Sequence, residues 1–319
     1  MKSTSLQIHN HLLSAKKIII VPHQNPDGDA IGSAVAISEY LQALGKPTAI
    51  FCATLVAPRL TFLLNGHPVY SSPNIFSDIN VDTIIVLDSG DLRYAGVDKH
   101  LYKHPATIIN IDHHTTNEHY GWHNLVMPAA SSTAEVLYHF FTHTATKITS
   151  HMATALLAGL ITDTGNFTNS ATTPTALKIT GALLRQGGNL SLINNKTGKN
   201  KTLNILRLWG TILSRLENHE PSGITHTYLT ESDYNNFGVA EDEIEGISNF
   251  LNNLDNTKIV LFLKDNSAGI VKASFRTTQD DVDVSAIAKK FGGGGHKKAA
   301  GFTTNGTIDE VLQKILTNK

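Results

Sequence analysis

The stretch Val21-Pro22-His23-Gln24-Asn25-Pro26-Asp27-Gly28-Asp29-Ala30-Ile31-Gly32-Ser33 places an imidazole and two carboxylates where a β-strand runs into a helix. Lys17 to Val21 is a short β-branched apolar run with the length of a buried strand, and Ala30 to Leu44 has helical spacing closed by Gly45. The turn between them therefore lies at a strand's carboxyl end, where open α/β sheets place their ligands. His23, Asp27 and Asp29 offer one nitrogen and two carboxylates, a donor set suited to Mn²⁺, Mg²⁺, Zn²⁺ or Fe²⁺ and ill suited to thiolate-seeking metals. The same letters also describe an acidic Asp-Gly turn with Asp29 as helix N-cap, so the rest of the chain has to decide.

Outward from this turn, strands and helices alternate. Pro47 to Cys52, Thr83 to Leu87 and Thr107 to Ile111 read as strands and Arg59 to Leu64 as a short helix, an alternation that predicts a parallel sheet covered on both faces. Two of these strands again end in donors: the first delivers Asp88, followed by Ser89-Gly90-Asp91-Leu92-Arg93, and the second delivers Asp112-His113-His114. Ser131 to His143, Met152 to Ile161 and Pro174 to Arg185 read as helices. The first opens with the capping-box letters Ser132-Thr133-Ala134-Glu135, and the second runs into Thr162-Asp163-Thr164-Gly165-Asn166-Phe167.

Asn189 to Thr202 is polar and poor in large apolar residues, so the domain boundary is placed there; Lys196, Lys199 and Lys201 within it are read as a solvated hinge. A connecting helix, Leu203 to Leu216, follows. Beyond it, Ile224 to Leu229 reads as a strand, Ala240 to Leu251 as an acidic-fronted helix, and Lys258 to Leu263 with Gly269 to Phe275 as a hairpin pair around Asp265-Asn266-Ser267. Asp283 to Phe291 and Ile308 to Leu316 read as helices. The expected fold class is α/β: a parallel-sheet domain with helices on both faces over 1–190, a linker with its helix over 191–222, and a smaller α/β substrate-binding domain over 223–319.

The 319 residues accommodate two ordinary domains, and 41% hydrophobic with 17% charged residues describes a globular chain. A formal net charge of −1 argues against a broad polybasic nucleic-acid surface, so an anionic ligand has to be met locally by metal and a few cations. Cys52 is the only cysteine, which excludes an internal disulfide and fits a reducing compartment. No run approaches the ~18 apolar residues of a membrane span, so a cytoplasmic protein without membrane contact is expected. A homodimer is among the assemblies the sequence is compatible with.

The chemistry follows from adding up the strand ends. His23, Asp27, Asp29, Asp88, His113 and Asp163 amount to two imidazoles and four carboxylates at one edge of one sheet. So many like charges cannot ionise together without cations, and six ligands exceed what one ion needs, which points to two metals about 3.5–4 Å apart sharing a bridging carboxylate. Asp88, alone in its segment, is the natural bridge. Two such ions would lower the pKa of a bridging water enough to supply hydroxide near neutral pH. In-line phosphoester hydrolysis without a covalent enzyme intermediate is the expectation. No Gly-x-Ser-x-Gly elbow, activated cysteine or Walker A loop competes with it.

These residues resemble the DHH phosphoesterases. His23-x-x-x-Asp27-x-Asp29, the isolated Asp88, the name-giving Asp112-His113-His114 and Asp163-Thr164-Gly165 match the family's four motifs in order. The segment from Asp283-Val284-Ser285 through Gly292-Gly293-Gly294-Gly295-His296-Lys297-Lys298-Ala299-Ala300-Gly301 is similar to the substrate-binding domain associated with it. Length, layout and this tail are most similar to the bacterial nano-RNase/pAp phosphatase branch. The resemblance implies hydrolysis of very short RNA, such as the dinucleotide pApA, to 5′-mononucleotides and removal of the 3′-phosphate of adenosine 3′,5′-bisphosphate (pAp). It implies two Mn²⁺ ions, with Mg²⁺ or another divalent metal as substitute. His23 and Asp27 would hold one ion, Asp29, His113 and Asp163 the other, and Asp88 would bridge both. Asp112 would orient an imidazole, and His114 would face the scissile phosphate or protonate the leaving oxygen. Arg276 would grip the nucleotide phosphate, with Gly293, Gly294 and Gly295 offering backbone N–H groups and His296 beside them; the substrate would lie in the cleft between the domains. Thr277-Thr278 stands where Ser followed by a basic residue is expected, which weakens the grip on a longer strand.

A cyclic di-AMP phosphodiesterase on the same site and a non-catalytic nucleotide sensor are the alternatives. Processive RecJ-like digestion is disfavoured by the short, near-neutral chain, and a pyrophosphatase by the glycine-rich tail. Arg93 is read as a structural ion pair, Ser132 and Thr133 as a helix cap, and His9, His11, His100, His104, His119, His139 and His143 as surface residues.

Overall fold

The computed structural model describes residues 1–198, 201–240, 244, 246–255, 257–266 and 268–317. Two compact units divide the chain, Met1–Asn200 and Lys201–Lys319. In chain order the first holds α1 (Lys2–Ser14), β1 (Ile18–Pro22), α2 (Gly28–Ala43), β2 (Thr48–Phe51), α3 (Thr61–Leu64), β3 (Val69–Tyr70) and β4 (Thr83–Leu87). It continues with α4 (Asp98–Leu101), β5 (Thr107–Asp112), β6 (His123–Val126), α5 (Thr133–His143), α6 (Ser150–Asp163), α7 (Pro174–Arg185) and α8 (Leu190–Ile193).

The six strands form one parallel sheet in the order β3-β2-β1-β4-β5-β6. The chain starts in the middle, runs to one edge and returns to the other side, so β1 and β4 flank the point where the winding reverses. In such sheets the strand ends on either side of that point frame the ligand crevice. β1 shows why both faces are covered: Ile18 and Ile20 join a core with α1, α2, α5, α6 and α7, while Ile19 and Val21 join a second core with Ile84, Val86, Phe76 and Leu101. Strand side chains alternate between faces, so a run of five buried residues requires packing on both.

Helices α2 and α6 lie unusually close. A Cβ on Gly32 would stand 2.2 Å from the Ala155 carbonyl oxygen, and one on Gly159 would stand 2.3 Å from Asp29 Oδ1 and 2.7 Å from the Ala134 Cβ. Gly159→Ala is expected to destabilise the protein by roughly 1–3 kcal/mol, the cost of overpacking a filled core, and to displace Asp29. A urea melt measures the first effect; an unchanged midpoint would refute the close contact.

The second unit comprises α9 (Leu203–Ser214), β7 (Glu217–His219), β8 (Ile224–Leu229), α10 (Glu231–Phe237), α11 (Ile247–Leu251), β9 (Ile259–Asn266) and β10 (Ile270–Arg276), then α12 (Val284–Lys290), β11 (Gly294–His296), β12 (Ala299–Asn305) and α13 (Ile308–Thr317). Its sheet runs β11-β12-β10-β9-β8-β7, with β8 and β9 parallel and the other pairs antiparallel. One face carries α12 and α13 over Leu261, Ala273 and Phe275, and the other carries α9, with Ile205, Leu208 and Ile212 packed on Val260 and Phe262.

Several elements differ from the reading of the sequence. β3 and β6 were not expected, being only two and four residues long, with Tyr70 exposed in the first and His123 and Asn124 half-buried in the second. Of the helix expected over Ala240 to Leu251, the described residues are α-helical over Ile247–Leu251, and 241–243 and 245 lie outside the described residues, as do Lys199 and Ser267. At the end of the glycine run, Gly294–His296 form β11 against β12. Asp27, not Asp29, caps α2, its carboxylate accepting the Asp29 and Ala30 amides. Of the histidines read as surface residues, His100 and His119 are exposed, whereas His9, His11, His104, His139 and His143 are half-buried, the first three against the Tyr40 hydroxyl, the Thr83 hydroxyl and the Phe76 carbonyl.

Candidate active site

Each expected ligand sits where a strand or helix ends. His23 follows β1, Asp88 follows β4 and His113 follows β5, while Asp27 and Asp29 open α2 and Asp163 closes α6. The structure brings all six together. One ligating atom from each of His23, Asp27 and Asp88 lies within 4.8 Å of the others, and the same holds for Asp29, His113 and Asp163.

Asp88 joins the two groups. Its Oδ2 is 3.6 Å from His23 Nε2 and its Oδ1 is 3.6 Å from His113 Nε2. The carboxylate is almost wholly buried, its Oδ1 accepts the Thr133 hydroxyl at 2.9 Å, and its backbone takes a φ of +56°, a left-handed conformation that costs a non-glycine residue roughly 1 kcal/mol or more. Burial, strain and charge concentrated on one side chain mark a position selected for something other than stability.

Both imidazoles are aimed in the same way. His23 Nδ1 lies 2.7 Å from the Gln24 carbonyl and His113 Nδ1 lies 3.3 Å from that of Ala130. A carbonyl oxygen only accepts, so Nδ1–H donates to it and Nε2 is left bare toward the carboxylates, the arrangement in which metal-binding histidines are held. His113 Nε2 is 3.1 Å from Asp163 Oδ2 and His23 Nε2 is 3.8 Å from Asp27 Oδ1. Asp29 is fully buried against the start of α5, accepting the Thr133 amide at 2.6 Å and the Ala134 amide at 2.9 Å. The positive end of that helix offsets part of the cost of its charge. This donor set, four carboxylates and two imidazole nitrogens in two adjoining groups, fits divalent cations that take oxygen and nitrogen ligands.

Asp112 and His114 form the third layer. Asp112 is buried, its Oδ1 accepting from His114 Nδ1 and from the His113 amide at 2.7 Å each, and its Oδ2 from Asn117 at 2.6 Å. His114, with its side chain 35% exposed, turns its Nε2 away from that anchor.

Without a cation the site has to hold protons. Burial, then the charges of Asp163 and Asp27, push Asp88 up to about 7, and burial with Asp29 pushes Asp163 up to about 7. Burial alone would lower the imidazoles, but the Asp27 hydrogen bond and Asp88 outweigh it at His23, raised to about 9, and Asp163, Asp29 and Asp88 outweigh it at His113, raised to about 10. The Asp112 hydrogen bond raises His114, and Asp112 itself is held low by His114 and Asn117 against its burial.

A group whose folded pKa exceeds its unfolded one stabilises the fold below the unfolded value and loses that support as pH rises through the folded value. For Asp88 and Asp163 the loss runs from the ordinary carboxylate value of 3.8 to about 7, and for His23 and His113 from 6.5 to about 9 and 10. The melting temperature of the metal-stripped protein is therefore expected to fall steadily between about pH 5 and pH 9, and added Mn²⁺ to restore more at the alkaline end, because protons no longer compete for the ligands. Calorimetry across that range is the check. A flat profile without metal would contradict it.

Sequence reasoning missed three contributors. Thr133, read only as part of a cap, holds Asp29 by its amide and Asp88 by its hydroxyl, whereas Ser132 is the cap, accepting the Glu135 amide. Asn117 braces Asp112, and the half-exposed Tyr94 ring stacks on His23 at 5.0 Å between centroids. No spacing pattern advertises either. Arg93 pairs with Asp91 and Glu118 as expected, and Cys52 is buried with its thiol pushed up to about 12, which removes it from nucleophilic chemistry.

In the second unit, Arg276 and His296 both pair with Ala299, one from β10 and one from β11. Register partners share a sheet face, so the two stand on one face, separated by an alanine. Two residues along, the same face carries Ser274, Gly301 and Gly294. The result is a patch of small residues with an arginine and a histidine on its flanks. A Cβ on Gly293 would meet the Gly301 carbonyl at 2.2 Å, and one on Gly295 would meet that of Ala299 at 2.5 Å, whereas one on Gly294 would meet nothing within 4 Å. Packing therefore requires two of these glycines but not Gly294.

Residues 17–160 match the DHH family, N-terminal domain, and residues 223–318 match the DHHA1 domain. The chain is 32% identical over 301 residues to the bifunctional oligoribonuclease and PAP phosphatase NrnA of Thermus thermophilus, covering 94% of this chain and 88% of that protein. It is 27% identical to the Bacillus subtilis protein of the same name, over 89% of this chain and 88% of that one. The crystal structure of an exopolyphosphatase-related protein from Bacteroides fragilis has a TM-score of 0.91 at 24% identity, over 99% of this chain and 96% of that one, a likeness of fold.

Proposed function

The chain belongs to the DHH family and is a metal-dependent phosphoesterase, and from that premise we propose that it hydrolyses short oligoribonucleotides to 5′-mononucleotides and removes the 3′-phosphate of pAp, using two Mn²⁺ ions. The observation that carries the proposal is Asp88, with one carboxylate oxygen turned to each ligand group. Relatives that act on short RNA and pAp, as their names state, supply the substrate class.

On this reading His23 and Asp27 would hold one ion, Asp29, His113 and Asp163 would hold the other, and Asp88 would serve both. Bound there, the ions supply Lewis acidity that activates water near neutral pH and neutralises charge growing on the phosphoryl oxygens. The remaining work belongs to side chains. Asp112 keeps His114 in the tautomer whose Nδ1–H donates inward and raises its affinity for a second proton. His114, its hold on a second proton strengthened in this way, would deliver that proton from Nε2 to the scissile phosphate or the leaving oxygen. Arg276 and His296 receive the nucleotide's other phosphate, where a planar guanidinium grips two oxygens at once. The backbone of Gly293, Gly294 and Gly295 lies alongside it, and no helix in the chain is long and apolar enough to cross a membrane among the described residues.

Arg276→Ala is expected to raise KM roughly 10- to 100-fold, the worth of a hydrogen bond to a charged group, with kcat nearly unchanged. Gly294→Val should raise KM at an unaltered melting temperature, because the fold leaves space there. Steady-state kinetics on pAp reads both. A lower kcat at constant KM would move Arg276 from binding into the chemistry.

The proposal is tested by time courses of the Mn²⁺-loaded protein against pAp, linear pApA, a five-nucleotide RNA and cyclic di-AMP. Turnover of pAp and pApA, slower cleavage of the pentamer and little of the cyclic compound support it. Preference for the cyclic dinucleotide would reassign the substrate, and tight binding without turnover would make the protein a sensor.

A further inference from the structure

A second group of ligating side chains lies at the other end of the α2–α6 pair. Glu39 is ten residues beyond Asp29 on α2 and His151 is twelve before Asp163 on α6, about 15 and 18 Å along their helices. His67, between α3 and β3, completes the group, and one ligating atom from each of the three lies within 4.8 Å of the others.

We propose that Glu39, His67 and His151 form a separate binding site for a divalent cation of the zinc class, clamping α2, α6 and the segment that precedes β3. Two imidazoles and one carboxylate, with a fourth position left to water, are the donors such ions take, whereas the carboxylate-rich site at the opposite end suits Mn²⁺ or Mg²⁺.

Glu39 and His151 are held as ligands. Glu39 Oε1 accepts the Thr149 hydroxyl at 2.7 Å, which leaves Oε2 available. His151 Nε2 lies 3.1 Å from the Leu63 carbonyl, which only accepts, so that nitrogen carries the hydrogen. Its Nδ1, however, lies 2.8 Å from Glu39 Oε2. The lone pair of a neutral imidazole would there face a carboxylate oxygen at hydrogen-bond distance, an arrangement that repels unless a cation sits with them. The cation is either a second proton or a metal ion. His67 adds a third donor: its ring stands parallel to that of His151, 7° apart in plane and 6.3 Å between centroids, and its Nδ1 accepts from Gln42 Nε2 at 3.3 Å with Ser38 Oγ at 3.1 Å, so an ion binds this ring by displacing a hydrogen or a hydrogen bond, as metal binding to imidazoles does. An ion pair between Glu39 and His151 alone would have no use for a second imidazole fixed beside it. The group is half-buried, so an ion reaches it from solvent.

The test is a titration of the metal-stripped full chain with Zn²⁺ in the presence of excess Mn²⁺, comparing wild type with Glu39→Gln and His67→Ala. The wild type is expected to bind one more Zn²⁺ per chain than either variant and to gain several degrees in melting temperature that the variants do not. Co²⁺ in place of Zn²⁺ should give the visible absorption of a four-coordinate ion in the wild type only. Glu39→Gln keeps an oxygen for Thr149 and His67 lies on a half-exposed turn, so both variants should fold, which their metal-free melts verify. Equal zinc content and equal melting shifts in all three proteins would overturn the proposal and leave a proton as the cation between Glu39 and His151.

Discussion

Asp88→Ala should lower phosphoesterase turnover by at least roughly 10³-fold, because losing one charge-stabilising donor already costs about 10²- to 10³-fold and this carboxylate serves both ligand groups. Loss of fold would be a poor explanation for that result. In the metal-free protein Asp88 is a buried carboxylate pushed up to about 7 by burial and its acidic neighbours, so removing it relieves repulsion. Alanine does inherit the left-handed φ of +56°, which it tolerates less well than aspartate. Asp88→Asn separates the two effects: it keeps the shape and the tolerance of that backbone but not the charge. Both variants should be inactive, and both should retain less metal after dialysis than the wild type. An active Asp88→Asn enzyme would refute the assignment of the bridge.

His114→Ala should lower kcat by about 10²- to 10⁴-fold, the range for a positioned proton donor, while leaving metal content unchanged. That separation distinguishes it from Asp88, since His114 stands outside the two groups built on His23 and Asp29. Asp112→Asn should act through His114. The hydrogen bond from Nδ1 to Asp112 is the largest cause of the raised His114 pKa, so its loss should pull the alkaline limb of the kcat profile toward lower pH. An unshifted limb would remove His114 from the proton transfer.

How much of this could be read in the letters depends on how local the determinant is. His23 to Asp29, Asp88, and Asp112 to His114 each sit directly after a run of β-branched apolar residues, and in a parallel sheet such runs all end on the same edge. Their convergence therefore follows from periodicity alone, as do β1, β4, β5 and the long helices α2, α5, α6 and α7. Determinants that depend on a neighbouring element were less visible. The choice of Asp27 as helix cap, with Asp29 left for the inside, is settled by α5, whose first amides reach Asp29 but not Asp27. Thr133 acquires its part only when the start of α5 reaches Asp29 and Asp88. Glycine disfavours strands, yet β12 enforces pairing on Gly294 to His296. Glu39, His67 and His151 lie on three distant segments with no shared motif, and nothing short of the packed helices brings them together.

The central claim, two cations flanking Asp88, is tested most directly by diffraction from Mn²⁺-soaked crystals with anomalous maps at the manganese edge. The account expects two peaks about 3.5–4 Å apart, one beside His23 and Asp27, one beside Asp29, His113 and Asp163, with Asp88 between them. A single peak, or peaks that do not touch Asp88, would contradict it.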